Sequence, residues 1–339
     1  MKKFIYTALA ITGALFAACD NGDWSFDDFE YSAVYFANQS PVRRICLGED
    51  VYSTELDNKH QFEIYATMGG VYSNPKDVTI DIKVDNTLCN DLLFESGGSE
   101  VLAMPSSYYT LSSNQIVIKK GEIMGCVGVQ LTDAFFSDPK SLENNYVIPL
   151  VMTQVNGADS ILQGTPLVAS PNRVNSSDWE TVPKDYTLYA VKYVNAYDAN
   201  YLRRGKDVYT GAINKTVVRH EEYVEKDEEV TDITTRSLNT IAWEHPAKDA
   251  DGNIANIELL MTFDADGKCT VSSGTTGVTA SGSGQFVSKG EKNSWGNKDR
   301  DALYLNYTLE YSGVKCVTTD TLVVRDRGSV AEYFSPVMR

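Results

Sequence analysis

The chain has 339 residues, a formal net charge of −16 and 42% apolar residues. That length suits two domains of about 100–200 residues each, and the apolar share excludes global disorder. So acidic a surface is repelled by nucleic acid and by anionic lipid head groups, so no nucleic-acid partner and no electrostatic membrane binding is expected.

The first element is a leader. Lys2 and Lys3 precede an uncharged, mostly apolar run, Phe4 to Ala18, that ends in the small residues Ala17 and Ala18. The run falls short of the roughly 20 residues that a membrane-crossing helix needs. Small residues directly before Cys19 resemble the lipobox of bacterial lipoproteins, with Phe16 standing where leucine is usual. The resemblance implies removal of residues 1–18, acylation of the Cys19 thiol and a lipid anchor in the membrane. One acyl chain holds a protein only marginally, so several are expected. Segment 19–30 carries Asp20, Asp23, Asp27, Asp28 and Glu30 and no basic residue. It resembles the signal that carries Bacteroidetes lipoproteins across the outer membrane, which implies a protein facing the cell exterior.

Residues 31–155 read as strands. Phe62, Ile64, Ala66 and Met68 alternate with Gln61, Glu63, Tyr65 and Thr67, and Val78, Ile80, Ile82 and Val84 with Thr79, Asp81, Lys83 and Asp85. A period of two marks a strand with one face in a core. Further strands are expected at Tyr31–Ala37, Ile116–Lys119, Ile123–Leu131 and Tyr146–Thr153, which together suggest a β-sandwich of the immunoglobulin-like kind. Residues 156–179, rich in Pro, Gly, Ser and Asn, read as a linker. Strands resume at Asp185–Asn195 and continue to about Asp326, so residues 180–339 are expected to form a second domain. Asp251-Gly252, Asp266-Gly267 and Ser312-Gly313 mark hairpins, and a consecutive antiparallel series suggests an up-and-down barrel.

The stretches YSAVYF (31–36), MPSSYYTL (104–111), QIVIKKG (115–121) and NYVIPLVM (145–152) resemble the N-terminal module of a large group of Bacteroidetes surface lipoproteins. That module also precedes some glycan-degrading enzymes. DYTLYAVKYVNAYDANYLRRGKD (185–207), SWGNKDRDALYLNYTL (294–309) and DTLVVRDRG (320–328) resemble a C-terminal domain of unknown function that is calycin-like, or lipocalin-like, in fold. The resemblance implies a role in capturing or presenting glycans at the surface, beside glycan-uptake proteins of the outer membrane, and carries over no catalytic or ligand residues.

The residues themselves do not support an enzyme. There are three histidines, His60, His220 and His245, and no zinc-protease pair, nucleophile elbow or phosphate-binding loop. His60 and His245 read as surface or interface residues. The DADG stretches at 249–252 and 264–267 resemble calcium loops, but their glycine spacing fits hairpin turns. No metal or other cofactor is expected. Five cysteines follow Cys19, an odd number without a C-x-x-C pair, and read mostly as small buried apolar residues. Sugar stacking is the chemistry that the aromatic content favours. Trp179, Trp243 and Trp295 are the candidate platforms, each having polar, loop-like neighbours, and Arg203 and Arg204, with Lys206, form a basic cluster able to hold an acidic sugar. Two other functions fit the same sequence: a structural adhesin or fimbria-like subunit joined by strand exchange, and a calycin-like carrier with an unfilled apolar interior.

Overall fold

The protein, a computed structural model, is described at residues 30–220 and 229–339. Cys19 and the leader lie outside the described residues. The fold is all-β, at 55% strand and 8% helix.

The first unit is a sandwich. Its strands are β1 (Ala33–Tyr35), β2 (Pro41–Cys46), β3 (Gln61–Gly69), β4 (Val78–Val84), β5 (Tyr109–Leu111), β6 (Gln115–Ile118), β7 (Met124–Leu131), β8 (Tyr146–Asn156) and β9 (Tyr186–Val194). One sheet runs Ser160–Ile161, β1, β3, β7, β5; the other runs Glu332–Tyr333, β2, β9, β8, β4, β6. The alternation in β3 and β4 buries Phe62, Ile64, Ile80 and Ile82 between the sheets. β8 instead buries seven residues in succession, Tyr146 to Met152. Its second face lies under a smaller cluster that includes Leu88, Leu92, Phe94 and Val101, so it is covered on both sides.

β9 differs from expectation. It was expected to open the second domain, but it pairs antiparallel with β8 and parallel with β2. The reason is packing on both faces: Val191 and Tyr193 join the inter-sheet core, while Tyr186, Leu188 and Ala190 join the smaller cluster. A strand apolar on both faces needs a layer on each side, which the middle of the sandwich sheet supplies. Within residues 156–179, Ser160–Ile161 pairs with β1, and Thr165–Pro166 pairs with Trp179–Thr181.

The second unit comprises β10 (Ala199–Gly211), β11 (Lys215–Arg219), β12 (Glu229–Ser237), β13 (Thr240–His245), β14 (Ile257–Phe263), β15 (Lys268–Ser273), β16 (Thr279–Ser294), β17 (Lys298–Tyr311) and β18 (Val314–Asp326). Pairing of β10 with β18 closes an antiparallel barrel of eight strands. β10 meets β12 through Ala199–Arg203 and β11 through Gly205–Tyr209, so β11 is an appendage to the ring. The DADG stretches are turns: Asp264 accepts from the backbone amides of Asp266 and Lys268, both at 2.9 Å. After β18 the chain returns to the sandwich and pairs there at Glu332–Tyr333 and Val337–Met338. Cys46, Cys89, Cys269 and Cys316 are buried free thiols, and Cys126 is a half-buried one. Among the described residues no helix is long and apolar enough to cross a membrane.

Candidate functional site

A strand's period of two turns Arg203 and Asp207 of β10 into the barrel, opposite Leu322 and Thr318 of β18. Gly205 lies between them, facing Asp320. A Cβ at Gly205 would stand 2.2 Å from the Thr319 carbonyl oxygen and 2.4 Å from Asp320 Oδ1. Glycine is what leaves room for the carboxylate. Arg203 Nε donates to Asp320 Oδ2 at 3.1 Å, and Arg219 of β11 donates to Asp320 Oδ1 at 2.6 Å and to Asp207. Thr318 Oγ1 donates to Asp207 at 2.8 Å, and the Tyr307 hydroxyl donates to Asp320 at 2.8 Å. His245 Nε2 lies 2.8 Å from the Tyr307 oxygen. The Trp243 indole packs under the Arg203 guanidinium, 4.8 Å from its ring centre, and donates to Thr231 Oγ1 at 2.6 Å.

Electrostatics follow from this enclosure. Burial, and then the neighbouring Arg203 cation, push the His245 imidazole well below its ordinary value and keep it neutral. Burial works to raise the Asp207 carboxyl, but hydrogen bonding and charge from Arg219, with Arg203, hold it below the ordinary range. Burial, then Asp320, raises the Tyr307 phenol well above its usual value. Around the cluster the interior is filled by Ile241, Leu259, Met261, Leu303 and Leu305, all fully buried. Paired charges so enclosed tie β10, β11 and β18 together.

Two of the sequence candidates, Trp243 and Arg203, meet inside the barrel. Trp243 and Arg203 are corrected: neither can stack on or grip a sugar from solvent, because Trp243 is 0% and Arg203 3% exposed. His245, expected at a surface or interface, is buried with them. In AWEHP, Glu244 points outward from β13 and His245 inward, so the segment is a strand and not a loop. Arg204 faces away from the lumen, half-buried, and Lys206 is exposed. Trp179 is half-buried, and its indole donates to the Asn172 carbonyl at 2.8 Å. Trp295 is half-buried in the turn between β16 and β17, with the Arg300 guanidinium 3.6 Å from its ring centre.

A different concavity forms where the two units meet. Arg327, just past β18, donates to the carbonyls of Asp198 (3.0 Å), Leu47 (2.6 Å), Glu49 (3.2 Å) and Asn195. Arg44 of β2 donates in turn to the carbonyls of Gly328 and Arg327, both at 3.0 Å, and pairs with Asp198 at 3.3 Å. Beside this pin lies a cleft of about 560 Å³ lined by Lys192 and Glu332 on one side and by Asn200, Asp232, Thr234 and Arg236 on the other. Burial, then the Asp198 carboxylate, raises the Asp232 carboxyl above its ordinary value. Sequence reading missed this site because its residues come from distant segments with no shared motif. The signal in hand was RDRG, 325–328, where Arg327 directly follows a strand in an acidic chain.

A sandwich joined to a closed eight-strand barrel, with its open concavity at the junction, defines a two-domain all-β protein. Residues 196–328 match a family described as a domain of unknown function, DUF5627, and residues 28–159 match a family described as an N-terminal domain. A Bacteroides ovatus protein of unknown function, with a crystal structure at 2.40 Å, is 47% identical over 92% of this chain and 100% of that one, with a TM-score of 0.88. The chain belongs to the same two-domain family as that protein. A second Bacteroides ovatus protein of unknown function is 14% identical over 90% of this chain and 100% of that one, at a TM-score of 0.39. A Bacteroides ovatus multidomain protein including DUF1735 is 12% identical over the same shares, also at 0.39. No curated protein matches the chain.

Proposed function

We propose that this protein is a non-catalytic lipoprotein, anchored through Cys19 on the outer face of the outer membrane, that binds glycan in the cleft between sandwich and barrel and serves neighbouring glycan-uptake proteins. The observation that carries the reading is the lining of that cleft. Asn200, Asp232, Thr234, Arg236 and Glu332 offer donors and acceptors of the kind that sugar hydroxyls exchange for water. Sugar hydroxyls gain little net free energy in that exchange. Affinity is therefore expected in the micromolar to millimolar range, roughly −4 to −8 kcal/mol.

Calorimetry of the lipid-free protein against host and plant oligosaccharides tests this. Saturable binding without product release supports it, and Asp232→Ala or Arg236→Ala should weaken binding about tenfold. Loss of binding with Trp295→Ala or Trp179→Ala, but not with Asp232→Ala, would move the site to that indole. Absence of binding across the panel would end the glycan reading. The anchor is tested separately: Cys19→Ala should shift the protein out of the detergent fraction and abolish palmitate labelling.

A further inference from the structure

The last segment of the chain lies on the sandwich as an extended peptide lies in a receptor. Glu332 and Tyr333 pair antiparallel with Val42 and Pro41, adding an outer strand beside β2, and the Phe334 amide donates to the Ser40 carbonyl at 3.0 Å. The Phe334 ring sits 4.6 Å from that of Phe94, against the cluster that includes Leu92 and Val101. Val337 and Met338 then pair with Leu93 and Leu92, and the Arg339 amide donates to the Asp91 carbonyl at 2.8 Å. Two ion pairs fix the register: Glu332 with Lys192 at 2.6 Å, and Arg339 with Glu100 at 3.0 Å. Every one of these partners belongs to the sandwich, and none to the barrel from which the segment emerges.

We infer that β2 and Asp91–Phe94 form a strand-docking groove, that residues 331–339 are its ligand, and that the same segment of a second copy of this chain can occupy it. Main-chain pairing supplies affinity, and the Phe334 seat with its flanking charges supplies register, as in peptide recognition by strand addition. The connection to β18 is short: Arg44 holds the Gly328 carbonyl and the Ser329 hydroxyl donates to Asp50, so the chain is free to turn only from Val330 on. Gly328 takes a left-handed backbone (φ 58°), and Val330 is 70% exposed. Such a connection can redirect the segment to a neighbouring molecule without changing any contact in the groove, which is the condition for exchange between identical chains.

Two experiments on the full chain test this. In the first, a protease site is inserted between Val330 and Ala331, the chain is nicked, and a fluorescent peptide of residues 331–339 is added. The nicked protein should bind the peptide at least tenfold more tightly than the intact protein, whose own segment competes at high effective concentration. The same peptide carrying Phe334→Ala should bind at least tenfold more weakly. Failure of the peptide to bind the nicked protein, or equal binding to nicked and intact protein, overturns the groove. In the second, Val330 and Ala331 are deleted so that the segment no longer reaches its own groove. Light scattering at micromolar concentration should then show a dimer or larger species, and a monomer overturns exchange with a second copy.

Discussion

Arg203 Nη2 lies 3.0 Å from Asp320 Oδ2 inside the barrel, with 3% of one side chain and 0% of the other exposed. Two charges so enclosed have exchanged water for each other, and each depends on the partner for its solvation. Asp320→Ala leaves both Arg203 and Arg219 short of a carboxylate and should lower stability by about 3–5 kcal/mol in urea unfolding. Replacing Arg203 and Asp320 together by Met and Leu removes one of the two stranded charges, leaves Arg219 paired with Asp207, and should cost less than Asp320→Ala alone. If the double replacement is the worse of the two, the pair contributes more than its mutual compensation.

The same cluster sets an acid limit on the barrel. His245 faces Arg203 and Asp207 of β10, Arg219 of β11 and Tyr307 of β17, with Asp320 of β18 bound to Tyr307 and Glu229 of β12 bound to Arg203. Its folded-state value lies well below the ordinary 6.5, so the unfolded chain takes up a proton first as the pH falls. The contribution of neutral His245 is therefore fully present above the ordinary imidazole value and declines as the pH drops below it. The difference in stability between the wild type and His245→Phe should shrink between about pH 7 and pH 5 by chemical denaturation. A difference independent of pH would place the His245 titration elsewhere.

Legibility in the sequence followed the packing of each strand. The alternations at 61–69 and 78–84 are plain because one face of each is buried and the other is not. β9 was misplaced because it is covered on both sides, which removes the period that assigns a strand to a sheet edge or a domain. Trp243 reads as exposed for a related reason: outward-facing Glu244 and buried but polar His245 give an enclosed indole polar company. The cleft left no local trace, because Lys192, Asp232 and Glu332 meet only through the fold. The correction at Trp243 has a measurable consequence. Trp243→Ala removes a fully buried indole and should cost about 3–5 kcal/mol of stability, whereas Trp295→Ala, in a half-buried turn, should cost less than about 1.5 kcal/mol. Equal losses in thermal or urea unfolding would contradict the burial assigned to Trp243.

Arg327 holds the two units in one arrangement, since its guanidinium reaches carbonyls on both: Leu47 and Glu49 of the sandwich, and Asn195 and Asp198 at the entry to the barrel. Those oxygens are main-chain acceptors at a place where strand pairing does not reach them. Leaving a buried acceptor unsatisfied costs about 1–3 kcal/mol each, and water can restore part of that at a partly open junction. Arg327→Ala should therefore lower stability by about 3 kcal/mol, with Arg327→Lys intermediate because one ammonium cannot span the fork that the guanidinium fills. The larger effect should be on geometry. With the pin gone, the walls of the cleft, Lys192 and Glu332 against Asp232 and Arg236, lose their fixed spacing. Limited proteolysis should then cut early near residues 195–198, where the wild type resists, and any ligand of the cleft should bind at least tenfold more weakly. The barrel itself should persist, so hydrogen-exchange protection at β14 and β17 should match the wild type. Loss of protection in those strands along with the cut would show that Arg327 supports the barrel and not the junction.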